Sequence, residues 1–406
     1  MNRPALPNRP APPDRLARLI AFAARTHAPH QAALLRIGLG GVAAAFLLRE
    51  WPHRRLLYGD RSPWAPDMAA QVVAEDHRFS VLLWSGGHWW FELVYHGAIV
   101  AAVLLMLGWR TRGTSVAFLV AVVSFDSRNP YLGDAGDNAL RVMAVYLAFT
   151  RCAAVWSLDA HRRARARRRR RPAYDRAGVT LWQALGVLLL WVSDGFPHTA
   201  WAAVLWAFWA AHGLWYAAHR WPRGRQVRDL LDAATAMLHN CAMLVIAAQV
   251  CLIYATAGWY KVQGTLWQEG SGLYYALNLD YFMPWPALAG LLTHSMLVVF
   301  SLSYGTVFAQ VAFPFLLGYR RLKNALLAVL MLEHLAIAVV LGIPFLSAMM
   351  IVSDAVFLPT SFLLSLGTRR PSRRGAGQPA VAGAPGQRYR TRRPGVRFPQ
   401  AAGRAR

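Results

Sequence analysis

The chain is almost without lysine. Lys261 and Lys323 are the only lysines among 44 basic residues, and the rest are arginine. Acidic residues are few as well, 19 in all, so the formal net charge is +25. Cysteine is scarcer still: Cys152, Cys241 and Cys251 each fall in an apolar stretch. They form no CxxC pair and no spacing suited to zinc, which excludes a disulfide framework and gives no reason to expect a metal. The N-terminus, MNRPALPNRPAPPDRLARLIAF, has no unbroken apolar core ahead of a small-residue cleavage site. A removable signal peptide is therefore not expected, and the first membrane helix serves as the insertion signal.

Charge of either sign makes up only 16% of the chain, against 56% hydrophobic residues. That is too much apolar surface for a soluble fold, and it predicts an all-α, polytopic transmembrane bundle with no β domain. The excess of arginine does not point to nucleic acid, because the arginines cluster in short runs between apolar segments, as topology signals do. The partner implied is the lipid bilayer.

About ten spans are expected, near residues 31–49, 89–108, 113–127, 139–158, 179–195, 199–219, 237–257, 287–317, 324–342 and 345–366. Residues 1–30 read as a basic, proline-broken leader with a short amphipathic helix near residues 15–24 on the membrane surface. The apolar stretch from Phe79 to Trp84 is too short to cross. The arginine run between Arg162 and Arg171 reads as a positively charged stop beside a helix end that also touches anionic lipid. Residues 367–406, rich in Arg, Gly and Pro, lack an apolar face and are expected to be a disordered cytoplasmic tail. Ten spans place every arginine-rich connection on one side, the cytoplasm, together with both termini of this multi-pass protein of the cell membrane. The acidic and aromatic loops at 51–88, 125–138 and 258–286 then lie outside. The 179–219 hairpin can be removed without altering this parity, which marks it as an inserted, peripheral element.

Charged residues inside a bilayer cost about 2.5–3.5 kcal/mol at a helix centre on insertion scales unless they are paired or face water. Arg36, Glu92, Arg141, Arg151, Glu333 and Asp354 fall in or near spans. They either pair with one another or line a polar cavity. A histidine in a span, such as His334, either packs with its polar atoms satisfied or handles protons. Lys261 stands in YATAGWYKVQGTLWQEGSGLYY, residues 254–275, an aromatic and glycine-rich stretch read as a loop after the apolar segment 237–257. Arginine keeps its charge, whereas a lysine in a poorly hydrated site can lose its proton and act as a base.

Three blocks carry a family resemblance: RNPYLGDAGDNALRVMAVYLAFTRCAAVWSLD at 128–159, IYATAGWYKVQGTLWQEGSGLYYAL at 253–277 and EHLAIAVVLGIPFLSAMMIVSDAVFL at 333–358. In order and spacing they resemble the HTTM membrane domain, shared by bacterial membrane proteins and the vitamin K-dependent gamma-carboxylases. The resemblance covers residues 31–366 apart from the hairpin. It implies a catalytic lysine at Lys261, which in the carboxylases deprotonates reduced vitamin K, and a functional histidine at His334. Where the carboxylases carry another functional histidine, this chain has Asp137. The lumenal β-rich domain of the carboxylases has no counterpart. Three functions stay open. The first is a quinone-linked membrane enzyme using a reduced quinone, with Lys261, His334 and Asp137 as its site. The second is a non-enzymatic membrane factor for maturation, export or immunity of a secreted peptide, acting with that peptide or a partner protein. The third, a transporter, ranks last because no inverted repeat is visible.

Overall fold

The computed structural model describes residues 15–168, 176–193, 199–220 and 225–367. Among them every regular element is helical, and no strand is present. The basic tail and the end of the arginine run lie outside the described residues.

The amphipathic helix expected near the N-terminus is α1 (Arg15–Ala23). It leads to α2 (Pro29–Glu50), which opens on a proline, tolerated there because the first helical N–H groups have no partner anyway. Two short helices, α3 (Arg54–Leu57) and α4 (Pro66–Glu75), fill the loop before α5 (His88–Leu107), and the stretch at 79–84 makes only one tight turn, Val81–Leu83. Helix α5 ends on Gly108 at φ 70°, with its N–H directed to the Leu104 and Leu105 carbonyls. Glycine is required there twice over: a Cβ would be strained by that backbone and would lie 2.8 Å from Arg36 Nη1.

Helix α6 (Thr111–Arg128) precedes α7 (Ala135–Ala148), which starts on a capping box between Asp134 and Asp137. The arginine-rich α8 (Leu158–Arg168) and the hairpin of α9 (Arg176–Val192) and α10 (Thr199–Arg220) follow. Helix α11 (Arg225–Gln263) is 39 residues long. Short helices α12 (Thr265–Gln268), α13 (Gly272–Leu277) and α14 (Pro286–Thr293) lead to α15 (Met296–Phe315). The chain closes with α16 (Arg320–Val340), α17 (Pro344–Asp354) and α18 (Thr360–Gly367), the last of these crossing the boundary of the compact unit at Leu364.

Among the described residues five segments are long and apolar enough to cross a membrane: Pro29–Leu57, α5, α11, α15 and α16. The other expected spans fall on α6, α7, α9, α10 and α17–α18, which do not meet both conditions. Two expected segments are also reshaped. The apolar run at 287–317 is broken between α14 and α15, and that at 139–158 stops being helical after Ala148.

The two ends of the bundle differ in charge. At one end His239 accepts the Arg151 N–H at 2.9 Å and meets the His27 carbonyl at 2.7 Å, while Lys323 donates to the Phe357 carbonyl. Asp159 N–H meets the Gly108 carbonyl at the same end. Arg110, Arg112, Arg162, Arg320 and Arg321 follow from their neighbours in sequence. At the opposite end one cavity has Glu50, Asp134, Asp137, Arg49, Tyr281 and Gly342 in its wall. The arginine-rich connections at 108–112, 151–168 and 320–323 thus lie toward one end, and the loops carrying Asp134 and Asp137 toward the other.

The core is built around α2. Its Leu35 and Leu39 are fully buried among Leu105 of α5, Met143 of α7, Ile246 of α11 and Met349 of α17. Helices α2 and α5 touch backbone to backbone at Gly40, where a Cβ would lie 2.7 Å from the Ala102 carbonyl oxygen. Such small-residue contacts are the usual way helices associate without a hydrophobic driving force. Leu244, Leu297 and Leu332 point outward, 65–75% exposed, as lipid-facing leucines do.

Candidate functional site

Four of the six charged residues in or near spans have ordinary partners. Arg36 is fully buried and donates to the carbonyls of Leu105, Met106, Cys152 and Trp156 at 2.5–3.2 Å. Glu92 takes both arms of the Arg54 fork at 3.0 Å, Arg141 pairs with Asp126 at 2.6 Å and Arg151 with Asp232 at 2.9 Å. These hold the bundle together. Glu333 and Asp354 do not resolve in this way.

Around them is a polar cluster drawn from α11, α15, α16 and α17. Helix α11 continues through the stretch that the sequence suggested as a loop, so Lys261 sits in its last turn. The loop begins only at Gly264. Lys261 Nζ donates to Gln310 Oε1 at 2.9 Å, and Gln310 Nε2 donates to Glu333 Oε1 at 2.7 Å. An ionised carboxylate only accepts, so the amide is oriented by its two partners. Trp267 lies beneath the lysine, its ring centroid 5.3 Å from Nζ.

The second Glu333 oxygen has no hydrogen-bond partner in the protein. Beside it His334 is 7% exposed, and neither ring nitrogen is partnered. Tyr254 faces His334 with 6.0 Å between ring centroids, and its hydroxyl donates to Asp354 Oδ2 at 2.8 Å. Asp354 is fully buried and its Oδ1 is also unpartnered. Each buried unsatisfied polar atom costs about 1–3 kcal/mol. Four gathered in one place bring no structural return, and buried ionisable groups of this kind mark functional sites in membrane bundles.

Depth follows from the helix rise. Lys261 lies 22 residues past His239 on α11, roughly 33 Å from the arginine-rich end, near the full thickness of a hydrocarbon core. Tyr254, 15 residues past His239, lies about 22 Å along the same helix, inside the bundle. The cluster therefore runs from the acidic end of the bundle inward.

Of the three predicted site residues, Lys261 and His334 join this cluster. Asp137 caps α7 by accepting the Asp134 N–H at 2.9 Å and lines the cavity of about 450 Å³ at the acidic end. The walls of that cavity include neither Lys261 nor His334. Burial pushes the Asp137 carboxyl above its usual value. Gln310 was missed, although an amide in the apolar run MLVVFSLSYGTVFAQVAFPF was the available signal. Among the described residues no group of His, Cys, Asp and Glu is placed to hold a metal ion. Scanned against family models, curated proteins and solved structures, the chain matches none.

Gln310→Leu removes the bridge and leaves both Lys261 and Glu333 short of a partner. The expected loss is about 1–3 kcal/mol, seen as a lower unfolding midpoint in detergent. Replacing Lys261, Gln310 and Glu333 together by Met, Leu and Leu restores much of it, because no unpaired group remains. A Gln310→Leu protein as stable as the parent would show that the bridge carries no weight.

Proposed function

We propose that the chain is an HTTM-type protein of the cell membrane that handles a proton at the extracytoplasmic side of the bilayer, with Lys261 as the base. The observation that supports this reading is the continuous connection from Lys261 through Gln310 to Glu333, bordered by the unpartnered polar atoms of His334 and Asp354. Lys261 makes no contact with Asp137, so no direct carboxylate partner ties its amine down. Gln310 holds that amine in a fixed direction without competing for its proton. Trp267 lies against that amine, its ring centroid 5.3 Å from Nζ.

The substrate class that fits this set is a reduced quinone. Orphaned hydrogen-bonding atoms on Glu333 and His334 beside a lysine and aromatic rings suit a flat molecule with hydroxyl groups. Such a molecule becomes the quinone by giving up two hydroxyl protons and two electrons, which dioxygen takes up as hydrogen peroxide, the first proton leaving by way of a base. Lys261 and His334 would hold the hydroxyls, with Trp267 beside the lysine and Tyr254 beside the histidine. Lys261 Nζ takes the proton, and Glu333 and Asp354 are placed to carry charge or protons further into the bundle.

The orientation belongs to the same reading. The arginine-rich end faces the cytoplasm, and the shorter helices complete the crossings so that both termini lie there. Single cysteines on a background without Cys152, Cys241 and Cys251 test it. Arg165→Cys should resist a membrane-impermeant maleimide on whole cells, while Tyr131→Cys and Thr265→Cys should react. Labelling of position 165 from outside would overturn the orientation.

The chemistry is tested with purified protein in nanodiscs given a reduced naphthoquinone under air, following formation of the quinone by absorbance. The parent protein is expected to accelerate it over empty nanodiscs. Lys261→Arg should abolish the acceleration, since it keeps the charge and removes an amine able to lose its proton. Retained acceleration in Lys261→Arg rules out the base. No acceleration by the parent removes the quinone reading and favours the alternative, a non-enzymatic factor for a secreted peptide.

A further inference from the structure

A cavity of about 1180 Å³, whose walls do not include Lys261, lies between the α9–α10 hairpin and the faces of α5 and α6. The hairpin leans on the bundle at several points. Trp201 donates to the His77 carbonyl at 2.8 Å and meets Phe79, Phe208 packs on Phe149, and Trp215 lies under the Arg112 guanidinium at 3.9 Å. Between these points the two surfaces stand apart.

The walls are divided by chemistry. On the hairpin side α9 presents Leu181, Leu185, Leu188 and Val192 at helical spacing. Opposite, α5 and α6 present small residues, among them Gly97, Ala101, Ala117 and Ala121. A Cβ built on Gly97 or Gly113 meets nothing within 4 Å. The apolar part follows α6 from Thr111 to Ser124, roughly 20 Å. At the arginine-rich end of the bundle the lining changes to Arg110, Arg112, Arg151, Arg162, Arg163 and Arg167, against only Asp159 and Asp232. Asp232 is already paired with Arg151, and Asp159 accepts the Arg110 and Thr111 N–H groups and pairs with Arg162. Among the described residues Arg112 has no acidic group within ion-pair distance, and its side chain is accessible.

We propose that this cavity binds an anionic membrane phospholipid, with the phosphate of its headgroup among Arg112, Arg163 and Arg167 and its hydrocarbon along α6 and α9. Three features select this occupant. The surplus of positive charge sits at one end only, the remaining wall is apolar over a length suited to an acyl chain, and the charged end is the one that the arginines place at a membrane surface. Arginine forks match phosphate oxygens two at a time. An extended peptide would leave its backbone groups unpaired against the leucines of α9. A free phosphate would use none of the apolar wall. The hairpin thereby gains a role: it closes a lipid site against the bundle.

Native mass spectrometry of the full chain in detergent, titrated with phosphatidylglycerol, phosphatidylcholine or inorganic phosphate, tests the proposal. One phosphatidylglycerol should bind at least about tenfold more tightly than phosphatidylcholine, and inorganic phosphate should not compete. Arg112→Gln should weaken that adduct about tenfold and Arg112→Lys should restore part of it. Gly97→Leu, which fills the apolar wall without touching charge, should weaken binding of both lipids. Equal affinity for the two lipids, displacement by inorganic phosphate, or an adduct unchanged in both Arg112→Gln and Gly97→Leu would overturn it. Circular dichroism and the unfolding midpoint identify any variant that fails to fold, and the other then decides.

Discussion

A single buried guanidinium sets the condition under which this bundle can exist. Arg36 lies two turns into α2, fully buried and with no acidic partner, and is tolerated because four carbonyls turn toward it. Two of these belong to the last turn of α5, where a helix has carbonyls left over. The other two belong to the non-helical turn after α7. One side chain thus satisfies a helix end and an irregular segment at once, and locks α2, α5 and α7 together at the arginine-rich end. Gly108 must remain glycine for the guanidinium to fit. Arg128 repeats the device at the opposite end, donating to the Gly59 and Trp64 carbonyls at 3.1 Å.

Against that economy the cluster around Glu333 stands out. The same bundle matches Arg36, Arg128, Glu92 and Arg141 with partners, yet of eight buried side-chain polar atoms without one among the described residues, four gather on Glu333, His334 and Asp354, and the rest are on His30, Gln31, Trp64 and His88. Packing alone gives no reason for an acid, a histidine and a second acid to meet there. An apolar triad would be at least as stable. The lysine bridged to this cluster is one of only two in the chain, where charge alone is otherwise carried by arginine. Composition and geometry therefore single out the same residue independently.

Much of this was legible in the sequence and some was not. The helical class, the arginine-rich end and the short amphipathic α1 follow from composition and periodicity, because apolar runs and arginine clusters act locally. The hairpin was recognised as separable, but not that its tryptophans prop it away from α5 and α6, since that depends on small residues 80 or more positions earlier in the chain. The end of α11 was misplaced: the glycine at 258 reads as a breaker, yet it is kept within the helix because Val311 of α15 packs against it, 2.7 Å from where a Cβ would stand. Lys261 and His334 were found from residue type and neighbours. Gln310 was not, because an isolated amide has no spacing to give it away, and the place of Asp137 in another cavity depends on how α7 and α17 pack.

The scarcity of lysine also supplies the most direct test. With lysine labelled with nitrogen-15 at Nζ, the protein should give two side-chain resonances, and Lys323→Arg assigns them. A base must gain and lose its proton near the working pH, so the Lys261 resonance should move as pH is varied through the range in which the protein acts, and Glu333→Gln should alter that movement. A Lys261 resonance fixed at the ammonium position across that range, and indifferent to Glu333→Gln, would contradict the account.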